Sequence, residues 1–452
     1  MINESLDEVY RPQYHFSAQT GWINDPNGLV FYKGRYHLFF QHNPFGTQWG
    51  NMTWGHAVSA DLLHWRQLEN ALLPDKLGTM FSGSAVVDWN NTSGLQSGPE
   101  TAIVVLYTAA GGTSEESKGQ PFTQCLAYST DAGDTLTKYE GNPVLPHVAK
   151  ENRDPKVAWF APGGYWVMAL YLDGNTYALY SSSDLKAWEH LHNIEMQGCS
   201  ECPDFFEAPI EGDEGERRWV LTAANGKYLV GRFDGRLFVP ETVEPVQVDF
   251  GANYYAVQTY SDIPDGPASR RDGRRIQIAW MAGGAYPGMG FNQQMSFPCE
   301  MKLMRTVAGL RLTRQPVAEI TTLYSTTRAW GDLLLTQPIV LSQHDLLDLT
   351  IECDVHPDAE VVLDIRGERL TFSAAQGALT CLGKTAPLAP VSGHVTLRVL
   401  VDRASIEVFG NGGLISMTSC FTPAPSASQT VLLGSGAKVT SLVVHELNTA
   451  WD

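Results

Sequence analysis

Three short segments of the chain each hold an acidic residue close to a proline, a pattern that could do chemistry: Asp25-Pro26, Asp154-Pro155 and Glu201-Cys202-Pro203. Proline lacks a backbone donor and biases the preceding residue toward extended geometry. Asn27-Gly28, which follows the first pair, favours a sharp turn. We therefore expect an extended segment that presents the Asp25 carboxylate and then turns away, a geometry suited to a rigidly held nucleophile.

Taken alone, an Asp-Pro-Asn-Gly sequence is more often a surface turn than a catalytic segment. The occurrence of an acid beside a proline in three separate places changes that interpretation. Three carboxylates that are each fixed in the same manner are expected to act together at one site.

Five segments, in chain order, resemble glycoside hydrolase family 32, the β-fructosidases that include invertases, levanases and inulinases. The segments are residues 22–28, 81–84, 153–155, 201–204 and 249–256. A further stretch, 402–409, resembles the C-terminal sandwich of that family. The resemblance covers most of the chain. It implies a retaining, exo-acting β-fructofuranosidase that releases terminal fructose from sucrose, fructo-oligosaccharides or fructans.

The resemblance implies a role for each of the three carboxylates. Asp25 matches the nucleophile, Glu201 the acid/base, and Asp154 a carboxylate that binds fructose hydroxyls and stabilises the transition state. Cleavage of a ketosidic bond needs a carboxylate on one side of the anomeric carbon and a proton donor on the other. The longer side chain of Glu201 agrees with its assignment as the proton donor.

The resemblance also implies a set of substrate-binding side chains: Asn24, Gln41, Trp49, Phe81, Ser82, Arg153, Cys202 and Trp280. Amides can both donate to and accept from a sugar, and aromatic rings can cover its C–H faces. Cys202 either tunes the surroundings of Glu201 or is a small buried hydrophobic residue. Trp280 either closes the pocket or belongs to the core of a strand. Arg153 either steadies Asp154 as an ion or binds sugar.

A Ser-x-Asp turn recurs along the first two thirds of the chain, at Asp61, Asp131 and Asp184, with a weaker Phe-Asp-Gly form at Asp234. A repeat of roughly 50 residues that holds several short strands is typical of a β-propeller, whose inner strands line a central channel. Motif strands begin near Trp22, Phe81, Arg153, Glu201 and Asp249. The sequence therefore predicts five blades and brings the three carboxylates to one end of the channel.

The strand pattern changes after residue 304, where alternating apolar runs and polar turns favour a β-sandwich. We predict an all-β chain with a five-bladed propeller catalytic domain over 1–304, a linker over 305–325 and a β-sandwich over 326–452. Asp402, Arg403 and Glu407 in the sandwich are read as parts of a strand and its turn, without chemistry.

Charge and hydropathy exclude several classes of partner. The net charge is −18 and no Lys/Arg-rich run is present, so we expect no nucleic-acid binding. No apolar stretch reaches the length of a membrane span. The first residues, 1–5, lack the basic and apolar regions of a signal peptide, so we expect a cytoplasmic protein, or a secreted one if a leader has been removed.

The seven cysteines are scattered, and the Cys199-x-x-Cys202 pair has no second pair beside it. We therefore expect no zinc or redox site, no other metal and no cofactor.

Three other functions compete with hydrolysis. A fructosyltransferase would use the same intermediate and release it to a sugar. A non-catalytic fructan-binding protein would be expected to have lost a carboxylate, and all three are present. A propeller scaffold for protein partners would not need converging carboxylates.

Overall fold

The computed structural model describes residues 6–242, 244–264, 273–424 and 428–451. Nearly all of their regular structure is β-strand, which confirms the predicted all-β class. The one helix among the described residues is a single short 3-10 helix, η1 (Ala318–Leu323). The described part of the chain thus contains no helix long and apolar enough to cross a membrane.

The first three blades are antiparallel sheets in which consecutive strands pair. The first contains β1 (Gly21–Tyr32), β2 (Arg35–Asn43), β3 (Thr53–Ser59) and β4 (Arg66–Leu72). The second contains β5 (Thr79–Val87), β6 (Ile103–Ala110), β7 (Thr123–Ser129) and β8 (Thr137–Lys138). The third contains β9 (Arg153–Phe160), β10 (Tyr165–Asp173), β11 (Thr176–Ser182) and β12 (Glu189–Glu195).

The fourth and fifth blades are joined into one sheet by a single parallel bridge between Ile210 and Leu303. The fourth contains β13 (Asp204–Ile210), β14 (Asp213–Thr222), β15 (Lys227–Phe233), β16 (Phe238–Pro240) and β17 (Val246–Gln247). The fifth contains β18 (Tyr255–Thr259), β19 (Arg275–Trp280), β21 (Cys299–Thr306) and β22 (Gly309–Pro316), while β20 (Phe291–Asn292) pairs with β1.

The five inner strands β1, β5, β9, β13 and β18 form a closed ring, because each contacts the next and β18 contacts β1. A parallel bridge between Val30, in β1, and Ser261, just after β18, shows that the chain runs in the same direction in the first and fifth inner strands. All five inner strands therefore begin at one mouth of the channel and end at the other.

The Ser-x-Asp repeat forms the turn between the two outer strands of a blade, as the sequence suggests. Asp61 accepts backbone N–H bonds from Leu63 and His64, and Asp184 accepts them from Lys186 and Ala187. Carboxylates that accept several N–H bonds fix a turn that would otherwise leave those donors unpaired. The repeat is thus a local motif that fixes the turn between the two outer strands of the first and third blades.

The second domain is a β-sandwich whose two layers are joined by one long bent hairpin. Its strands are β23 (Tyr324–Trp330), β24 (Leu333–Leu334), β25 (Ile339–Ser342), β26 (Leu347–Ile365), β27 (Glu368–Ser373), β28 (Ala378–Cys381), β29 (Lys384–Pro387), β30 (His394–Asp402), β31 (Ser405–Gly410), β32 (Ile415–Cys420) and β33 (Thr430–Leu447). The first half of β26 pairs with β30, and its second half pairs with β27. β33 pairs with β26 in both layers, and leucine, isoleucine and valine side chains fill the core between them.

Buried charges join the sandwich to the propeller. His15 lies between two carboxylates, with Nδ1 2.8 Å from Asp402 Oδ2 and Nε2 2.9 Å from Glu407 Oε1. Arg314 lies 2.7 Å from Asp249 and 3.8 Å from Glu407. Burial lowers the pKa of His15, but the hydrogen bonds and charges of the two carboxylates raise it overall to about 9. The reading of Asp402 and Glu407 as parts of a plain strand therefore missed an interface between domains.

Two features differ from the sequence-based expectations. The fifth inner strand begins at Tyr255, and Asp249 instead accepts hydrogen bonds from Arg314 and Thr418 and tethers the sandwich. Most of the predicted linker, 305–325, is structured: β22 pairs with β21, and η1 follows it. The Asp249 contacts join residues 65 and 169 positions apart, so a sequence-local reading could not show them.

Candidate active site

The candidate residues gather where the five inner strands begin. Asn24 and Asp25 lie near the start of β1, and Phe81 and Ser82 near the start of β5. The first two residues of β9 are Arg153 and Asp154, while Glu201 and Cys202 come just before β13. Since the inner strands all begin at one mouth of the channel, residues far apart in sequence meet there.

Three hydrogen-bond donors surround the Asp25 carboxylate. Ser82 Oγ donates to Oδ2 at 2.5 Å, Asn24 Nδ2 donates to Oδ1 at 3.0 Å, and the Cys202 thiol lies 3.7 Å from Oδ2. Burial raises the pKa of Asp25, and the bonds from Ser82 and Asn24 oppose that rise. Trp22 Nε1 donates to Asn24 Oδ1 and fixes the amide that holds Asp25. These donors favour a carboxylate held in one orientation.

Asp154 is bonded to the same cysteine. The Cys202 backbone N–H donates to Asp154 Oδ2 at 3.0 Å, and its thiol lies 3.5 Å from the same oxygen. Burial raises the pKa of Asp154 to about 7, with the Arg153 cation opposing the rise and the Asp25 charge adding to it. Burial and the nearby carboxylates raise the pKa of the Cys202 thiol well above its ordinary value. Cys202 is therefore a neutral donor whose thiol joins the two aspartates.

Glu201 is held by a cation and a phenol. Arg153 donates to Glu201 Oε1 at 2.6 Å, and the hydroxyl of Tyr255 donates to Oε2. The Arg153 guanidinium also lies 3.9 Å from Asp154 and over the ring of Tyr171, at 5.0 Å. Arg153 therefore bridges two of the three acids, with its shorter contact to Glu201.

The backbone at these residues departs from ordinary geometry. Asp154, Glu201 and Cys202 have φ angles of 66°, 58° and 39°, in the left-handed region that non-glycine residues seldom adopt. Two of them precede a proline, so the extended geometry expected there is wrong. The Asp154 N–H donates to Thr108 Oγ1, and the Cys202 N–H to Asp154, so these bonds hold the unusual conformation. Such conformations concentrate at functional sites.

Gln41 is linked to the carboxylates by hydrogen bonds through the side-chain amide of Asn27. With the Asn27 side chain oriented to satisfy its neighbours, its oxygen accepts from Gln41 Nε2 at 2.8 Å and its nitrogen donates to Ser82 Oγ at 3.1 Å. Ser82 in turn donates to Asp25. Gln41 is buried, so the structure places it as a support of the Ser82–Asp25 pair.

Aromatic side chains stand on two sides of the carboxylates. Trp49, 56% exposed, meets Phe81 edge to face at 6.1 Å between ring centroids. Trp280 lies 6.4 Å from the ring of Tyr255 and 6.0 Å from Trp22. Trp280 is only partly buried, so it is not an ordinary core residue of its strand. Both groups stand where they can form the walls of a pocket beside the carboxylates.

The structure thus brings all eleven predicted residues into one connected group, while their individual roles stay predictions. Sequence reasoning did not single out Tyr255, which bonds Glu201, nor Trp22 and Asn27, which position Asn24 and Ser82. Its position could have indicated it: Tyr255 is the first residue of the inner strand β18, just as Arg153 is the first residue of β9. Asn253 lies two residues before Tyr255 in the same segment. Its side chain donates to the Ala282 carbonyl and accepts from the Cys420 N–H, so it contacts the sandwich.

The channel is closed directly beneath the carboxylates. A cavity of only about 10 Å³ lies there, lined by Ser82, Asp154 and Cys202 among others. Below it, Lys156 Nζ donates to the Thr259 carbonyl at 2.6 Å and lies 3.3 Å from Asp204. Gln258 Nε2 donates to the Gly83 carbonyl at 3.0 Å. Polar side chains therefore fill the channel beneath the carboxylates.

The described ranges of the chain contain no candidate metal site. Within those ranges, no group of three or more His, Cys, Asp or Glu side chains could hold a metal ion. All seven cysteines are free thiols, and Cys199 and Cys202 form no disulfide.

Comparisons with known proteins agree with this geometry. The model of the glycosyl hydrolases family 32 N-terminal domain matches residues 15–316, and that of the family 32 C-terminal domain matches residues 366–448. The levanase of Bacillus subtilis (strain 168) is 38% identical over 98% of this chain and 71% of its own length. The extracellular exo-inulinase inuE of Aspergillus niger is 30% identical over 99% of this chain and 96% of its own.

Solved structures show the same architecture. The exo-inulinase of Aspergillus awamori superposes with a TM-score of 0.88 at 28% identity, covering 99% of this chain and 100% of that one. A fructofuranosidase of Schwanniomyces occidentalis, solved in complex with fructose, superposes with a TM-score of 0.87 at 27% identity over 99% of this chain and 100% of that one. The predicted five-bladed propeller followed by a β-sandwich is thereby confirmed.

Proposed function

Because this chain belongs to glycoside hydrolase family 32, we propose that it is a retaining, exo-acting β-fructofuranosidase. It would release terminal fructose from sucrose, fructo-oligosaccharides or fructans. The observation that carries this proposal is the convergence of Asp25, Asp154 and Glu201 from three inner strands at one pocket. The 38% identity to a levanase and 30% identity to an exo-inulinase support fructans among the substrates.

In this mechanism the Asp25 carboxylate attacks the anomeric carbon of the terminal fructose. The bond to the leaving-group oxygen breaks, and Glu201 transfers its proton to that oxygen. Glu201 then takes a proton from water, which attacks the anomeric carbon and frees Asp25. Both the covalent intermediate and the return of the proton follow from the retaining scheme.

The contacts of Glu201 and Asp25 suit these two tasks. Arg153 and Tyr255 each hold one oxygen of Glu201, so the carboxyl is oriented before substrate binds. Ser82, Asn24 and Cys202 orient Asp25 without supplying a countercharge. Preorganised groups of this kind need little rearrangement as the reaction proceeds.

Asp154 would act on the charge that develops in the sugar. With a pKa of about 7, it gains or loses its proton near neutrality. Positive charge on the fructosyl ring would favour the ionised form, and its hydrogen bonds to fructose hydroxyls would strengthen as that charge grows.

The closed floor of the pocket supports exo action. Lys156, Asp204, Thr259 and Gln258 fill the channel beneath the carboxylates, so a polymer could not thread through it. A dead-end pocket accepts a chain terminus, whereas internal cleavage would need an open groove across the site.

Product analysis tests the proposal. Sucrose, inulin and levan would each be incubated with the protein, and early products separated by liquid chromatography. We expect free fructose as the first product from every substrate that reacts, and Asp25→Asn as a control should release none. Early oligosaccharides from inulin or levan would contradict exo action. New, longer oligosaccharides from concentrated sucrose would instead identify a fructosyltransferase.

A further inference from the structure

A second cavity, of about 330 Å³, opens at the other mouth of the propeller channel. It is lined by the last residues of three inner strands and the turns that follow them, including Val87, Trp159 and Thr259. The catalytic carboxylates stand where those strands begin. The two openings are therefore at opposite ends of the channel.

The same side chains that close the catalytic pocket separate it from this second cavity. Lys156, bonded to the Thr259 carbonyl and close to Asp204, lines the second cavity from its inner end. A molecule in this cavity could not reach Asp25 or Glu201. Any ligand of the cavity would therefore be bound without being cleaved.

Aromatic rings form much of the wall. Trp159 and Trp166 meet edge to face at 4.8 Å between ring centroids, and Phe206 and Trp219 also line the cavity. Trp89 stands near the mouth, 36% exposed. A pocket of this size with several indole rings falls within the range that small-molecule sites occupy, roughly 300–1,000 Å³.

The charged groups of the wall have both signs: Lys156, Arg217 and Arg275 are cations, and Glu207 and Asp262 are anions. Arg217 lies 2.9 Å from Glu207, and Asp262 accepts hydrogen bonds from Trp89 Nε1 and the Val87 N–H. Asn90 is exposed and also lines the cavity. Its side-chain amide can both donate to and accept from a ligand hydroxyl.

We propose that this cavity is a second, non-catalytic site for a small neutral saccharide, such as a mono- or disaccharide. Aromatic faces suit the C–H faces of a sugar ring, and the Asn90 amide and the carboxylates of Glu207 and Asp262 suit its hydroxyls. Among the described residues of the wall, each cation already bonds an oxygen: Lys156 the Thr259 carbonyl, Arg217 the Glu207 carboxylate and Arg275 the Glu207 carbonyl. These contacts favour a neutral ligand over an anion. The proposal adds a binding function to the opposite face of the propeller.

A substitution at the rim would occlude the cavity without touching the catalytic residues. Ala161 is exposed and lines the mouth, so Ala161→Trp places a large side chain across it. Ala187 is an exposed alanine in a turn of the same blade that does not line the cavity, so Ala187→Trp is the matched control. Neither residue belongs to the catalytic pocket, so hydrolytic activity should be unchanged in both.

Hydrogen–deuterium exchange of the full chain would locate the binding. The protein would carry Asp25→Asn so that sucrose is not consumed, and exchange would be compared with sucrose and with glycerol at equal mass concentration. We expect sucrose-specific protection of peptides covering 86–90 and 157–162. Ala161→Trp should abolish this protection, and Ala187→Trp should retain it. No sucrose-specific protection, or protection that survives Ala161→Trp, would overturn the proposal.

Two further comparisons in the same exchange experiment distinguish a neutral ligand from an anion, and the distal cavity from the catalytic pocket. Protection of the same peptides by inorganic phosphate, and not by sucrose, would overturn the assignment of a neutral ligand. Protection near Ser82 and Glu201 reports the catalytic pocket independently. Failure of the proposed hydrolase function would therefore appear as missing fructose release with the distal peptides still protected.

Discussion

Asp25 and Glu201 have unlike surroundings although both are carboxyl groups of one pocket. Asp25 is bonded by two neutral side chains and touched by a thiol, whereas Glu201 is held by a guanidinium and a phenol. This difference suits a nucleophile that must reach the anomeric carbon and a proton donor that must face the leaving group. Substitutions at the two positions should therefore fail in different ways.

Removing each carboxylate should give a distinct kinetic signature. Asp25→Asn cannot form the fructosyl-enzyme, so all substrates should lose activity. Glu201→Gln should slow sucrose hydrolysis by about 10²–10⁴-fold, since general acid–base catalysis is lost. A β-fructoside with an activated aryl leaving group should still react with Glu201→Gln to the covalent stage, because that group needs no proton.

Azide checks the assignment, because it attacks the intermediate without a general base. It should restore turnover of the aryl fructoside in Glu201→Gln and not in Asp25→Asn, as followed by release of the aryl group and by chromatography of the fructosyl azide. Rescue of both variants to the same extent, or of Asp25→Asn alone, would mean that the two roles are wrongly assigned.

At the residue scale, the sequence indicated the acids and most of the side chains that hold them, but not Tyr255. Asp25, Asp154 and Glu201 stand in short motifs that remain recognisable in one sequence. Tyr255 contributes a single phenol whose meaning depends on the fold bringing it to Glu201. Cys202 was associated with Glu201 by adjacency, whereas the left-handed backbone turns its thiol toward Asp25 and Asp154.

At the scale of elements, the blades depend on their rim turns. Asp184 accepts the Lys186 and Ala187 N–H groups at 2.9 and 3.0 Å and also bonds Ser182. These contacts are local, which explains why the repeat was visible in the sequence. The start of the fifth inner strand was predicted near Asp249, six residues before its actual start at Tyr255. The contact of Asp249 with Arg314, 65 residues away, is not visible in the local sequence.

Loss of such a turn should be measurable in stability. Asp184→Ala removes the acceptor of two backbone N–H groups, and we expect a loss of about 1–2 kcal/mol in the free energy of unfolding. Asp173→Ala is the matched control, because Asp173 in the same blade bonds Lys150 in an exposed ion pair, a type that contributes about 0–1 kcal/mol. Thermal unfolding should show a lower midpoint for Asp184→Ala than for Asp173→Ala, and equal midpoints would contradict the argument.

At the scale of the whole molecule, buried charges hold the domains together. His15 is 1% exposed and bonds two carboxylates of the sandwich, while its neighbours Gln13 and Tyr14 donate backbone N–H groups to Asp402. The sequence predicted both domains but not this contact, because it joins residues at opposite ends of the chain. Asp402 and Glu407 were therefore read as ordinary strand residues.

The raised pKa of His15 predicts a pH dependence of stability. Its pKa rises from about 6.5 in the unfolded chain to about 9 in the folded protein. The stabilisation is therefore fully present below pH 6.5 and is lost as the pH rises through 9. Calorimetry should show the unfolding midpoint of the protein decreasing across this window.

His15→Gln provides the comparison, because glutamine cannot carry the charge. The variant should unfold at a lower temperature at pH 6 and lose the part of the pH dependence that belongs to His15. His394→Gln, at an exposed ion pair with Asp354, should behave as the unsubstituted protein does. Parallel decreases between pH 6.5 and 9 in the protein and in His15→Gln would contradict the assignment.

The contact between Gln13 and Asp402 also bears on the order of events during the synthesis of the protein. The two residues are 389 positions apart, and Trp451 reaches back to the Pro12 carbonyl. At about 5–20 residues per second, a ribosome would deliver Asp402 roughly 20–80 s after Gln13. Asp25 lies 12 residues after Gln13. The nascent chain would therefore carry Asp25 well before the segment around Gln13 acquires its partner in the sandwich.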